Sequence, residues 1–313
     1  MPTYNKDYND PVRFAPSTTG RAHPGTLLSA LICWLDARSR GAQLLLRMEN
    51  LDPDRCRPEY EQGIVDDLAW FGLDWDTVID QRANRERHED VLDRLADAGL
   101  LYACQCSRSR LRDIGRAAPD GGFAYDNACR PYNVTRSSWR NSDLPIRLRL
   151  PDRAVCLTDE TGLVLDQHPV HEMGDPVVRR RDGAIAYHLA CVVDDHDAGI
   201  QRLIRGRDLA ASAPTQILLH ELLGWDVPRY FHHLLLLERH GRKLAKFHGA
   251  VAAPELRRVY SPEGLCGLLA GWAGLQPTTE PCRPTDLLPA FSWSRLNEED
   301  VVVHWDGASL SRA

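Results

Sequence analysis

Apolar residues in the first hundred positions fall into short segments of two different periods, cut apart by turn-forming residues. Val12 to Ala15 is an apolar run of strand length, followed by the turn-rich stretch Pro16-Ser-Thr-Thr-Gly-Arg. A helix is predicted next, with Pro24 in its first turn, Leu27, Leu28, Leu31 and Leu35 on its apolar face, and Gly41 as its stop. Gln43 to Met48 reads as a buried strand. Pro58 to Phe71 and Arg85 to Ala98 read as amphipathic helices stopped by Gly72 and Gly99. Strand, helix, strand, helix in that order predicts an α/β fold with a parallel sheet.

The pattern breaks between Leu101 and Leu150, which is irregular and rich in Cys, Arg, Gly and Pro, as an insertion would be. Beyond it, Val177 to Arg180 and Ala184 to Val193 read as strands around an Asp182-Gly183 turn. Pro214 to Leu223 has helical periodicity, Tyr230 to Leu237 is an apolar strand, and a short helical tail from Ala250 carries Leu256, Leu265, Leu268, Leu269 and Trp272. No apolar run approaches the roughly 20 residues that span a bilayer. The polar start, MPTYNKDYNDPVRF, has no signal-peptide core. These features predict a cytoplasmic protein with no membrane partner, whose nine cysteines are thiols or metal ligands.

Charge sharpens this picture. The chain carries −6 overall, which argues against an indiscriminate nucleic-acid binder. Yet Cys104 to Arg149 holds nine arginines against four aspartates, net +5, leaving −11 for the rest. A basic insert on an acidic body either touches a polyanion in one place or simply solvates a surface. Basic residues are almost all arginine: the only three lysines are Lys6, Lys243 and Lys246. An ammonium is a compact point charge that a planar guanidinium cannot replace at a tight phosphate site, so two lysines three residues apart stand out.

The loop after the first strand presents Gly20, His23, Pro24 and Gly25 at a helix N-terminus, where free N–H groups and the helix dipole suit phosphate. A histidine there can donate to phosphoryl oxygens, or can merely cap the helix. Neither G-x-x-x-x-G-K-[ST] nor G-x-G-x-x-G occurs in the chain. Gly241-Arg-Lys-Leu-Ala-Lys-Phe, more than 200 residues on, forms a cationic loop of the kind that neutralises a pentacovalent α-phosphate and departing pyrophosphate.

His23-Pro24-Gly25-Thr26 resembles the HIGH signature of class I aminoacyl-tRNA synthetases, and Lys243-Leu-Ala-Lys246 resembles their KMSKS loop. Arg13-Phe-Ala-Pro-Ser-Thr-Thr-Gly, Arg47-Met-Glu-Asn-Leu-Asp-Pro, Tyr187-His-Leu-Ala-Cys-Val-Val-Asp-Asp and Ile204-Arg-Gly-Arg-Asp-Leu are similar to the glutamate branch, in the family's order over about residues 10 to 250. The match is closest to its shortened paralogues, which modify the queuosine base of tRNA(Asp). The resemblance implies a Rossmann-like parallel sheet whose two halves are residues 1–100 and 151–249. Residues 101–150 would be a zinc-binding insertion and 250–313 a C-terminal helical segment without an anticodon-binding domain. It implies a monomeric ligase that uses ATP with Mg²⁺, L-glutamate and queuosine-containing tRNA(Asp). Glutamate would lie against Arg13, Ala15, Ser17, Glu49, Tyr187 and Arg205, with Arg205 on its side-chain carboxylate and Glu49 facing its amino group. ATP would lie against His23, Gly25, Thr26 and Lys246, with His23, Lys243 and Lys246 catalytic. A minimal synthetase charging the 3′ end of tRNA(Glu) and a non-catalytic RNA-binding module stay open beside it.

Cys104-x-Cys106 and Cys129 could supply three thiolates to zinc, or be three packing thiols. The resemblance favours a structural zinc and adds Tyr125 as fourth ligand. Cys33, Cys56, Cys156, Cys191, Cys266 and Cys282 lack such partners and read as packing residues. Four positions depart from the family pattern: Thr18 for proline, predicted to loosen its loop, Asn50 for aspartate, Ala245 for serine, and Thr26 for histidine. None removes a charge that the chemistry requires.

Overall fold

The structure, a computed structural model, describes residues 9–238 and 251–313; Lys6, Lys243 and Lys246 lie outside them. In chain order the first elements are β1 (Val12–Phe14), α1 (Pro24–Ser39), β2 (Leu44–Met48), α2 (Pro58–Trp70) and β3 (Thr77–Asp80). Then come α3 (Arg85–Asp97), β4 (Leu101–Ala103), α4 (Arg108–Ile114), α5 (Arg136–Arg140), β5 (Ile146–Leu148), α6 (Pro169–Glu172), β6 (Val177–Arg179) and α7 (Tyr187–Asp197). The last are β7 (Arg202–Gly206), α8 (Ala213–Leu223), β8 (Arg229–His233), β9 (Leu236–Leu237), α9 (Ala253–Val259), α10 (Pro262–Ala273), α11 (Pro284–Leu287), β10 (Val301–Trp305) and β11 (Leu310–Arg312). They gather into two compact units: residues 1–80, 200–207 and 231–313 make the first, and 81–199 with 208–230 the second.

In the first unit β1, β2 and β3 are parallel neighbours, with Val12 opposite Leu44 and Leu45 opposite Thr77. Helices α1 and α2 are the crossovers that parallel strands need. Pro24 starts α1 where its missing N–H costs nothing. The helix is buried nearly all round, through Leu27, Leu28, Leu31, Ile32, Trp34 and Leu35. Each such large apolar side chain contributes about 1.5–3 kcal/mol by leaving water. The same core takes in Ile204, Phe231, Leu265, Leu269, Val301, Val303 and Leu310, so late parts of the chain complete an early sheet.

A buried charge helps to join those parts. Asp36 on α1, 2% exposed, accepts from Arg202 on β7 (Nη2 at 2.6 Å), from Arg40 (Nη2 at 2.9 Å) and from the Trp293 indole (2.7 Å). Burial alone pushes the Asp36 carboxyl up, but the hydrogen bond and charge of Arg202, with Trp293 and Arg40, outweigh it and hold the group below its ordinary range.

The second unit contains an antiparallel sheet, β4-β5-β6, and the helices α3, α7 and α8. Asp194 of α7 accepts from Gln81 Nε2 (2.7 Å) and Asn84 Nδ2 (2.9 Å) and pairs with His88 Nε2 of α3 (2.7 Å), fixing the two helices together.

Three expectations change. Ala184 to Val193 is not a strand: the turn at Asp182-Gly183 is present, with Gly183 at φ +84°, but the chain then enters α7 at Tyr187. This helix is buried along Leu189–Asp195, and a helix buried on most sides loses the polar face that betrays a 3.6 period. Tyr230 to Leu237 is two strands, β8 and β9, rather than one. The C-terminal stretch is not only helical, because β10 pairs in parallel with β9 and antiparallel with β11.

Candidate active site

In open parallel sheets ligands gather beyond the carboxyl ends of the strands, where loops and helix N-termini face each other. At that end of the first unit the sheet hydrogen bonding continues past the strands: Ser17 bridges Glu49 in parallel, Glu49 N donates to Pro16 O (3.1 Å), and Thr18 N donates to Glu49 O (3.3 Å). Ser17 and Glu49 are thus brought together. Thr18 does not loosen this loop. It is fully buried, and its hydroxyl also donates to Glu49 O at 3.4 Å.

The carboxylate of Glu49 is held by a residue that the sequence reading left without a role. Arg47, 1% exposed, donates from Nη2 to Glu49 Oε1 at 3.1 Å. The two lie two residues apart at the end of β2, the spacing that puts side chains on one face of a strand. That spacing was the available signal. Asn50, also buried, donates from Nδ2 to Glu61 Oε1 at 3.0 Å, anchoring the same strand end to α2.

Arg13 on β1 is buried and donates from Nη1 to Ile204 O of β7 at 2.7 Å. Arg205, the next residue, is 4% exposed and donates from Nε to His232 Nε2 of β8 at 3.1 Å. Two guanidinium groups therefore lie on adjacent elements of one unit, each braced by a neutral acceptor rather than a carboxylate in these bonds. His232 was missed because a histidine pair at the end of β8 matches no spacing that points to a site.

His23 is the N-cap of α1. Its Nδ1 accepts from Thr26 N at 3.3 Å, which favours the tautomer with hydrogen on Nε2, the form able to donate to an anion. A Cβ added at Gly25 would stand 3.0 Å from His23 Cε1, so glycine there gives the imidazole its room. Ala15 sits between β1 and this loop. Tyr187 begins α7 in the second unit and stacks edge-on against His188 at 5.6 Å. Lys243 and Lys246 fall outside the described residues.

The second unit brings three of the nine thiols together. Ligand atoms of Cys104, Cys106 and Cys129 all lie within 4.8 Å of one another, and Cys106 Sγ is 3.5 Å from Cys129 Sγ. Thiolates on a tetrahedral zinc stand about 3.8 Å apart, given bonds near 2.3 Å, so the spacing fits one ion. The Tyr125 hydroxyl is beside them and accepts from Cys129 N at 2.8 Å. Burial, then the neighbouring Cys129 thiol, pushes the Tyr125 phenol up, and burial with Cys129 pushes Cys106 up to about 11. A divalent cation inverts that order by favouring the anions. Packing supports the cluster. Tyr102 joins it, and its hydroxyl donates to Asp175 (2.8 Å), which also accepts Arg130 Nε (2.6 Å) and Leu150 N (3.0 Å). Gly174, at φ +80°, has no room for a Cβ, which would lie 2.2 Å from Tyr125 O.

The catalytic domain of class I tRNA synthetases for glutamate and glutamine matches residues 11–260. A glutamyl-Q tRNA(Asp) synthetase of Symbiobacterium thermophilum is 40% identical over 308 residues, covering 93% of this chain and 95% of the relative. The chain belongs to this synthetase family. A protein of the same name from Nocardia farcinica is 40% identical over 299 residues, covering 94% of this chain and 93% of its own. The fold is also that of a crystallised glutamate tRNA ligase from Elizabethkingia meningosepticum, with a TM-score of 0.78 at 24% identity over 95% of this chain and 68% of that one. No helix among the described residues is long and apolar enough to cross a membrane.

Proposed function

We propose that this chain activates glutamate with ATP, without RNA for that step, and transfers the glutamyl group to the queuosine base in the anticodon loop of tRNA(Asp). The observation that carries the reading is the end-to-end match to relatives bearing that name, 95% of the Symbiobacterium protein being covered. The site geometry supports it: Glu49, held by Arg47, and the capped helix of His23 stand at the same strand ends. In the first step a glutamate α-carboxylate oxygen attacks the α-phosphorus of Mg²⁺-bound ATP, and the bond to pyrophosphate breaks. In the second, an RNA nucleophile attacks the anhydride carbonyl and AMP departs.

Within this reading Arg205 takes the side-chain carboxylate and Glu49 the amino group, with Arg13, Ala15 and Ser17 completing the pocket in the first unit. His23 donates from Nε2 to phosphoryl oxygen, beside Gly25 and Thr26, while Lys243 and Lys246 neutralise the α-phosphate and the leaving group. Catalysis is positioning plus electrostatics, with no protein nucleophile. Cys104, Cys106, Cys129 and Tyr125 would hold a structural zinc, whose contribution when bound is cross-linking, because the insert has little core of its own.

The test is glutamate-dependent ATP–pyrophosphate exchange without tRNA, followed by transfer to tRNA(Asp) with and without queuosine. Exchange without RNA and transfer only to the modified RNA is the expected result. Labile 3′-terminal esters on tRNA(Glu) would instead identify a minimal synthetase. No exchange would leave an RNA-binding module. Lys246→Arg should lose most exchange although it keeps the charge.

A further inference from the structure

Asp152, His168 and His171 lie in the second unit, apart in sequence from the thiol cluster, and have no role in the reaction above. Their ligand atoms lie within 4.8 Å of one another. His168 is the N-cap of α6 and His171 is three residues on, so one helical turn carries both imidazoles on one side, with ring centroids 4.2 Å apart. Both Nε2 atoms converge on one oxygen: His171 Nε2 is 2.8 Å and His168 Nε2 is 3.5 Å from Asp152 Oδ1.

Hydrogen bonding explains only part of this arrangement. His171 to Asp152 is an ordinary charge-assisted contact. His168 is not explained by it, because 3.5 Å is long for a hydrogen bond. Ligands at about 2.0–2.2 Å from a tetrahedral ion stand about 3.4 Å apart, so the His168–Asp152 spacing already suits one ion, and the His171–Asp152 contact must open by about 0.6 Å. Side-chain exposures of 62% for Asp152 and His171 leave an entry path and room for water in the fourth position.

We infer that Asp152, His168 and His171 form a second divalent-metal site, two imidazoles and one carboxylate with an open coordination position. Two imidazoles select zinc or a neighbouring transition ion over Mg²⁺ or Ca²⁺, which prefer all-oxygen ligands. The site lies at the foot of a hairpin. Val155 N donates to Gln167 O (2.8 Å) and Gln167 N to Val155 O (2.9 Å), and the chain turns back at Gly162, φ +87°. Asp152 precedes this hairpin and His168 follows it, so an ion joining them clamps its two legs.

The experiment uses full-length untagged protein, dialysed free of loosely held metal and titrated with Zn²⁺, with uptake followed by calorimetry and histidine side chains by ¹H–¹⁵N NMR. A zinc equivalent beyond any that survives dialysis is expected, with the Nε2 signals of His168 and His171 shifting together. His171→Ala and Asp152→Ala, both at exposed positions that leave folding intact, should each weaken that uptake at least about tenfold. Uptake that is absent, or that persists unchanged in His171→Ala as an adventitious ion only, overturns the assignment. Zinc shifts confined to other histidines do the same. Because the readout is metal uptake, its failure is independent of any failure in glutamate activation.

Discussion

Replacing Asp36 by Asn removes one charge and almost no volume from the centre of the first unit. Arg202, 10% exposed at its side chain, then keeps its guanidinium in the core without a carboxylate, and Arg40 loses its i,i+4 partner. Removing one partner of a buried ion pair costs about 3–5 kcal/mol, chiefly as the penalty for the charge left behind. Asn still offers one oxygen to the Trp293 indole, and Arg40 keeps its bonds to the Asp36 and Asp10 carbonyls, so the lower end, about 3 kcal/mol, is expected. That corresponds to a melting temperature lower by roughly 10 °C for a body of this size. Urea unfolding followed by tryptophan fluorescence measures it, since Trp34 and Trp293 lie in this unit. Acid provides a second check. The Asp36 carboxyl is held below its ordinary range in the folded chain, so its contribution is complete above the unfolded carboxylate pKa, about 3.9, and is lost as pH falls through the lower folded value. The gap between wild type and variant should therefore narrow in acid. The double variant Asp36→Leu with Arg202→Met should recover much of the loss, because an apolar pair leaves no stranded charge. A single variant within about 1 kcal/mol of wild type at neutral pH, or a double variant worse than the sum of the singles, would show this reasoning to be wrong.

Gly25→Ala places a methyl about where His23 Cε1 packs, at 3.0 Å, so the imidazole must turn from its cap position. Pyrophosphate exchange should fall at least about tenfold while the melting temperature changes little; unchanged exchange would separate His23 from the chemistry. His220 on α8 is driven down to about 4 by burial, so the folded chain resists a proton that the unfolded chain accepts near 6.5. Its neutral form costs nothing above 6.5, and stability drains as pH falls from there towards 4, by about 2 kcal/mol at pH 5. Urea midpoints at pH 7 and pH 5 should show this loss in the wild type and a smaller one in His220→Leu.

The alternation of β1, α1, β2 and α2 was legible because Pro24, Gly41, Pro58 and Gly72 punctuate it. Local signals of that kind do not reach the contacts that finish the first unit. Leu236 pairs with Val301 across more than sixty residues, and nothing near either one announces a parallel partner. Helix α7 was misread for a different reason. Its run from Leu189 to Val193 is wholly buried, and composition without a polar face cannot separate strand from helix. The site divides in the same way. Glu49 at the end of an apolar strand and the Gly25 turn could be read from residues, whereas Arg205 rested on resemblance alone and Tyr187 on a strand that is in fact helix α7. Arg47 could have been found from its spacing to Glu49.

Because β9 and β10 lie side by side, the order in which a growing polypeptide can settle is constrained. The unit that starts second in the chain has all its residues by position 230, while the unit that starts first still waits for Val301, Val303 and Leu310. During synthesis the middle of the chain can close while the opening sheet remains partly uncovered, so chaperone dependence should concentrate on the segment made earliest.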